Sequence, residues 1–220
     1  MREDERPRIA DVEWVALIER YDVRALPAIA WKNGGGTTRE IACRPAGAGL
    51  DDFDWRVSIA AIAANGPFSG FPGVDRCIVL LRGGGVRIES NDGEIDHRLE
   101  VPRLPFTFDG GCALHVTLLG GESEDFNVMT RRGRVRADVH VVDSACTLRP
   151  ASRGVVHAAR GQWTLDGDEH VAGPLAAGQG IWWDGPTPGE IRLAPHSPAA
   201  SLLAVDIVAI DAPEGRAWMP

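Results

Sequence analysis

The sequence predicts an all-β protein, built as two similar β-barrel halves with few, short helices. Three observations carry this. Short apolar segments recur at close to the eight-to-twelve-residue rhythm of sandwiches and barrels. The chain holds 26 Gly and 15 Pro, which leaves little room for long helices. A stretch of the first half has an echo in the second. One irregular sandwich is the competing architecture.

The elements follow in order. Residues 1–13 are charged and read as a flexible extension. Strand-like segments come next: VALI (15–18), TREIACR (38–44), WRVSIAAI (55–62), RCIVLLRG (76–83) and GVRIES (85–90). ALHVTLLG (113–120), DFNVMT (125–130), ADVHVV (137–142), GVVHAARG (154–161), IRLA (191–194) and SLLAVDIV (201–208) complete the set. Gly, Pro, Asp and Asn separate them, each a turn former. Asp22 predicts an N-cap for a short helix over 22–26. The GGG at 83–85 reads as a hairpin turn. The echo sets "RCIVLLRGGGVRIES", "PRLPFTFDG" and "LHVTLLGG" against "GVVHAARGQWTLDGDE", "GPLAAGQGIWWDG" and "SLLAVDIV". It divides the chain into an N-terminal barrel over 14–133, a C-terminal barrel over 134–212 and a tail over 213–220.

Composition excludes some classes of function. Of the 220 residues 44% are hydrophobic and 25% charged, ordinary values for a globular protein. A formal net charge of −8 argues against general binding to nucleic acid or to an anionic membrane. No run approaches the ~20 apolar residues of a membrane helix. The opening MREDERPRIADVEW lacks the apolar core of a secretory signal, so a cytoplasmic location is expected. Cys43, Cys77, Cys112 and Cys146 are spread out with no C-x-x-C pair, and read as reduced, mostly buried thiols. The six histidines form no H-x-H or H-E-x-x-H pattern, so neither metal nor other cofactor is expected.

The candidate chemistry lies in four stretches. In "FDWRVSIAAI", alternation puts Trp55, Val57 and Ile59 on one face and Arg56, Ser58 and Ala60 on the other. The run is apolar beyond Arg56, so both faces are expected to be buried, and a buried Arg needs an anionic partner. That partner is a structural acid or a ligand carboxylate. "NGPFSGFPGVDR" packs Phe68 and Phe71 over a mouth and adds Arg76. "DFNVMT" puts Asp125, Asn127 and Met129 on one face, where Asn127 offers an amide and Asp125 an alternative ion-pair partner for either Arg. "WKNGGGTTRE" sets Lys32 and Asn33 beside three glycines whose amides could approach a ligand. It has no phosphate-loop order, since the Lys precedes the glycines. This inventory suits a small carboxylate. His157, Trp163, Trp182 and Trp183 read as packing.

These four motifs, in this order, resemble the HutD/Ves family over about Val15 to Ile210, most strongly over 27–133. The resemblance implies a bicupin: two cupin-type barrels in one chain. It also implies a link to histidine utilisation, through a regulatory protein that binds an intermediate such as N-formylglutamate. The Ves branch is associated with stress response. Both halves lack the metal-binding cupin pattern G-x5-H-x-H-x3-4-E. Carried onto this chain, the family motifs point to Lys32, Asn33, Arg56, Ser58, Arg76 and Asn127 as ligand-binding residues. The alternative function is a metal-independent isomerase or hydrolase of a small acid, with Lys32, Glu40 or Asp125 as acid or base. A metal-dependent cupin enzyme is the third reading. The apolar strand 201–208 is the candidate edge for a homodimer.

Overall fold

The computed structural model describes residues 17–210, so the extension 1–13, the tail 213–220 and the start of VALI lie outside the described residues. In chain order the strands begin with β1 (Leu17–Asp22), β2 (Ile29–Ala30), β3 (Gly36–Arg44), β4 (Trp55–Ile62) and β5 (Gly66–Phe68). They continue as β6 (Val74–Gly83), β7 (Val86–Ser90), β8 (Asp96–Leu99), β9 (Phe106–Asp109), β10 (Leu114–Leu118) and β11 (Ser123–Arg131). Then come β12 (Val135–Val142), β13 (Cys146–Leu148), β14 (Arg153–Arg160), β15 (Gln162–Asp166) and β16 (Gly173–Ala176). The last are β17 (Gln179–Asp184), β18 (Ile191–Pro195) and β19 (Ser201–Ala209). The short helix is a 3-10 turn at Val23–Ala25, and Asp22 caps it by accepting the Arg24 amide. None of the described helices is long and apolar enough to cross a membrane.

Four antiparallel sheets result. A six-stranded sheet, β2-β3-β4-β11-β6-β9, shares a buried cluster with a small sheet, β5-β10-β7-β8. A five-stranded sheet, β1-β17-β14-β19-β12, does the same with β13-β18-β15-β16. The run β4-β11-β6-β9 has the same order as β12-β19-β14-β17. Likewise β5-β10-β7-β8 matches β13-β18-β15-β16. The two halves therefore repeat one topology, the all-β double-cupin arrangement.

Four expectations need correcting. The echo's last pair is displaced: β10, not β11, was set against β19, whereas the sheet orders match β10 with β18 and β11 with β19. Segment β1, placed in the N-terminal half, hydrogen-bonds to β17 of the other half over Leu17↔Asp184 to Asp22↔Gln179. That pairing covers the outer edge of β17. Strand 201–208 offers no edge, because β19 sits between β14 and β12 with a ladder on each side. The cysteines are free thiols, yet Cys77 alone of the four is fully buried; Cys43, Cys112 and Cys146 are half-buried.

The two large sheets pack on each other through Trp55, Val57, Phe126 and Val128 on one side and Trp182, Leu203 and Val205 on the other. Trp55 meets Trp182 edge-on at 6.4 Å. Arg44 lies 4.3 Å over the Trp182 ring and reaches Asp184 at 3.1 Å, which ties the halves together. Trp163 and Trp183 fill the core of the second half. Trp55→Ala should cost about 3–5 kcal/mol. Because that core is shared, calorimetry should still show a single transition at a lower Tm; two separated transitions would contradict a common core.

Candidate functional site

Strands β4, β11 and β6 are adjacent, and their cross-strand register decides which side chains meet. On the face turned toward the small sheet, Arg56, Met129 and Arg76 form one row. Ser58, Asn127 and Ile78 form the next, and Ala60, Asp125 and Leu80 the third. Trp55, Val57 and Ile59 point the other way, as alternation predicts. The structure thus brings together Arg56, Ser58, Arg76 and Asn127, all of them buried.

Arg76 is 4% exposed. Its Nε and Nη2 donate to Asn127 Oδ1 at 3.4 and 3.3 Å, and Nη1 donates to the Ser69 carbonyl at 3.3 Å. Phe68, Phe108 and Phe71 surround the guanidinium at 4.4, 5.3 and 5.5 Å. It makes no ion pair among the described residues. Burial pushes its pKa down to about 10, against the opposing pull of the Asp125 charge, so it stays a cation at neutral pH.

Arg56 has found its acid. Its Nε donates to Glu40 Oε2 at 2.7 Å. Its Nη1 meets only the Met129 sulfur, at 3.8 Å, which leaves that edge of the fork with a weak acceptor. Between a structural acid and a ligand carboxylate, the structure supplies the former on one edge.

Asp125 is 1% exposed, and neither of its carboxylate oxygens accepts a hydrogen bond. It forms no ion pair with either Arg, contrary to one reading of the sequence. Burial pushes its pKa up to about 7, with the Arg76 charge opposing. Ser58 Oγ is buried without a partner as well. The face therefore carries two cations at one end and two unpartnered polar groups further along. Unpartnered buried groups are costly, and they mark a place where a bound molecule can supply the missing hydrogen bonds.

Lys32 and Asn33 make no hydrogen bond or ion pair with Arg56, Ser58, Arg76 or Asn127 among the described residues. Their turn precedes Gly36, which pairs with Ile62, so it lies roughly 20 Å along β4 from Arg56; Asn33 Nδ2 instead donates to the Pro67 carbonyl at 3.3 Å, next to Phe68, which packs on Arg76. Both residues are exposed. Asn33 Oδ1 accepts the Gly35 amide at 3.0 Å, and the Gly34 amide donates to the Trp31 carbonyl at 3.0 Å. The glycine amides are thus spent inside the turn and do not cradle a ligand. A Cβ on Gly36 would lie 2.2 Å from the Ala61 carbonyl oxygen, so close strand approach explains that glycine.

Sequence alone does not pair Glu40 with Arg56 or place Phe108 at Arg76. A bulge between Glu40 and Ala42 sets the local phase of β3, and simple alternation does not reveal it. Phe108 arrives on β9, whose pairing with β6 is visible only in three dimensions. Among the described residues no group of three or more His, Cys, Asp or Glu could hold a metal ion. The equivalent strands of the second half carry Val156, Ala158, Leu202 and Ala204 in an apolar core.

Comparison with known proteins adds the following. The family model described as HutD matches residues 21–202. Protein Ves of Citrobacter koseri is 45% identical over 204 residues, which is 92% of this chain and 96% of the relative. A conserved protein of unknown function from Pseudomonas aeruginosa PAO1 aligns with a TM-score of 0.77 and 34% identity, over 86% of this chain and 98% of that one. HutD from Pseudomonas fluorescens SBW25, solved in a formate condition, aligns with a TM-score of 0.74 and 29% identity, over 87% and 98% of the two chains.

Asp125 imposes a pH dependence on stability. Between the ordinary value of 3.8 and about 7, the folded chain keeps a proton that the unfolded chain releases. Stability therefore falls as pH rises through that window and levels off above it. Asp125→Asn should flatten this decline and be more stable than the parent near pH 8. Urea melts from about pH 4 to 8 test this; parallel pH profiles for parent and variant would refute it.

Proposed function

This chain belongs to the HutD family, and from that premise we propose that its N-terminal half binds a small carboxylate as a regulatory, non-catalytic protein linked to histidine utilisation. The N-formylglutamate class of ligand is the one proposed. One observation carries the reading. Arg76 is a buried guanidinium whose hydrogen-bond acceptors in the protein are neutral, in the same cross-strand row as an Arg56 with one edge of its fork on a sulfur. Two guanidiniums in one row, two strands apart, repel unless an anion lies between them. A ligand carboxylate there receives forked donors from both. Asn127 and Ser58 lie in the next row, with amide and hydroxyl groups that suit a formamide or a second polar group. Lys32 and Asn33 contribute no direct contact to this pair of arginines.

The same face supports a second reading, a metal-independent isomerase or hydrolase of a small acid. Asp125, held near pKa 7 on the pocket face, has the poise of a general acid or base. Incubation of the protein with N-formylglutamate, followed by NMR, separates the two: unchanged ligand fits the binding protein, and product formation lost in Asp125→Asn fits the enzyme.

Each charge-assisted hydrogen bond is worth roughly 1.5–3 kcal/mol. Arg56→Ala and Arg76→Ala should therefore each weaken N-formylglutamate binding by about 10- to 150-fold in calorimetry. Lys32→Ala should leave it unchanged. Parent-like affinity in both arginine variants would remove the assignment.

A further inference from the structure

A cleft of about 370 Å³ opens on the opposite face of the same strands, between the two large sheets. Its volume falls in the range of small-molecule sites. Val23, Ile59, Leu81 and Ala159 give it apolar walls. Two polar residues lining it set its chemistry, Arg39 and His157.

Arg39 stands on β3 directly across from Ile59 and is half-buried. It donates one hydrogen bond, from Nη1 to the Leu26 carbonyl, and makes no ion pair among the described residues. The other cations of the cleft are already matched: Arg82 with Glu124 at 2.8 Å, and Arg24 with Asp22 at 2.6 Å. Arg39 is left as the cation of the cleft without a carboxylate.

His157 is held by a specific device. In the cross-strand row Tyr21, Gly180 and His157, a Cβ on Gly180 would lie 2.4 Å from the Tyr21 ring and hydroxyl. Glycine there lets the Tyr21 ring lie across the strand, in a plane within 1° of the imidazole. Its hydroxyl meets His157 Nδ1 at 3.1 Å. Phe126 packs against the other side of the arrangement at 5.4 Å. Burial pushes the imidazole down to about 4 and the phenol up, so both are neutral at pH 7. The tautomer in which the phenol donates to Nδ1 carries the ring hydrogen on Nε2. The ring itself lines the cleft.

We propose that this cleft is a second ligand site, which takes a small carboxylate with an apolar or aromatic body. The carboxylate lies on the Arg39 guanidinium, with His157 Nε2–H as a further donor, and the body lies on Ile59, Leu81 and Ala159. The site is separate from the pocket of Arg56 and Arg76, because Ile59 and its neighbours Ser58 and Ala60 point to opposite faces of β4.

The probe is 4-fluorobenzoate, titrated into the full chain and followed by fluorine NMR. The parent should show a saturable shift. Arg39→Gln should weaken binding at least tenfold, while Arg56→Gln leaves the fluorobenzoate signal in place and loses N-formylglutamate. Ala177→Glu alters an exposed residue at the rim and should weaken binding several-fold with the parent's Tm, so it decides the matter even if Arg39→Gln folds poorly. No saturable binding, or binding that survives both Arg39→Gln and Ala177→Glu, overturns the proposal. Loss of fluorobenzoate in Arg56→Gln alone would assign the ligand to the other pocket and overturn it too.

Discussion

Three neighbouring strands, β4, β11 and β6, are covered on both sides, and the two-residue period of a β-strand divides their side chains between those sides. One side carries Trp55, Val57, Phe126 and Val128 into the core that joins the halves. The other carries Arg56, Ser58, Asp125 and Asn127 toward the small sheet. A slip of one residue in register would exchange the two sets. It would drive a guanidinium and a carboxyl into the shared core and turn Trp55 onto the face now carrying the arginines. The shared core and the polar face therefore hang on the same ladder of backbone hydrogen bonds.

The polar side is costly, and the protein offsets the cost unevenly. Arg56 holds an ion pair with the half-exposed Glu40. Arg76 has no such acid and rests among neutral acceptors and three phenylalanine rings. Asp125 is close enough for its charge to be felt by Arg76, yet it accepts no hydrogen bond. Pairing the two directly would have produced a closed, self-neutralised core. Holding them a row of side chains apart keeps a cation and an acid available on one face, the condition both functional readings rely on.

Duplication of one topology has produced two unlike interiors. Where the first half places Arg, Ser and Asn, the second packs Val156, Ala158, Leu202 and Ala204 against Trp163. The second half contributes in another way. Its strand β17 receives β1, and Gly180 on that strand makes room for the Tyr21 hydroxyl to reach His157. The back of the polar sheet thereby gains a cleft with its own unmatched cation. Arg39 and Glu40 are consecutive on β3, and one lines that cleft while the other pairs with Arg56 on the opposite face.

Much of this was legible from sequence because it depends on local periodicity. The alternation of WRVSIAAI and DFNVMT identifies both faces of β4 and β11, and Asp22 announces its own turn through a cap two residues long. The family resemblance adds the double-cupin fold, which composition alone leaves open against a single sandwich. Strands such as β5 and β13, only three residues each, carry too few side chains to show a period, and their text reads as loop. Partner choice is the part that waits for tertiary structure. The register of β3 with β4 holds the turn of Lys32 and Asn33 a strand's length from Arg56, and Asn33 bonds Pro67 of β5 instead. Glu40 as the acid for Arg56, Asp125 left without a partner, and β1 lent to the opposite half all follow from which strands lie side by side. Local sequence sets which way a side chain points; only the long-range pairing of strands decides what it meets.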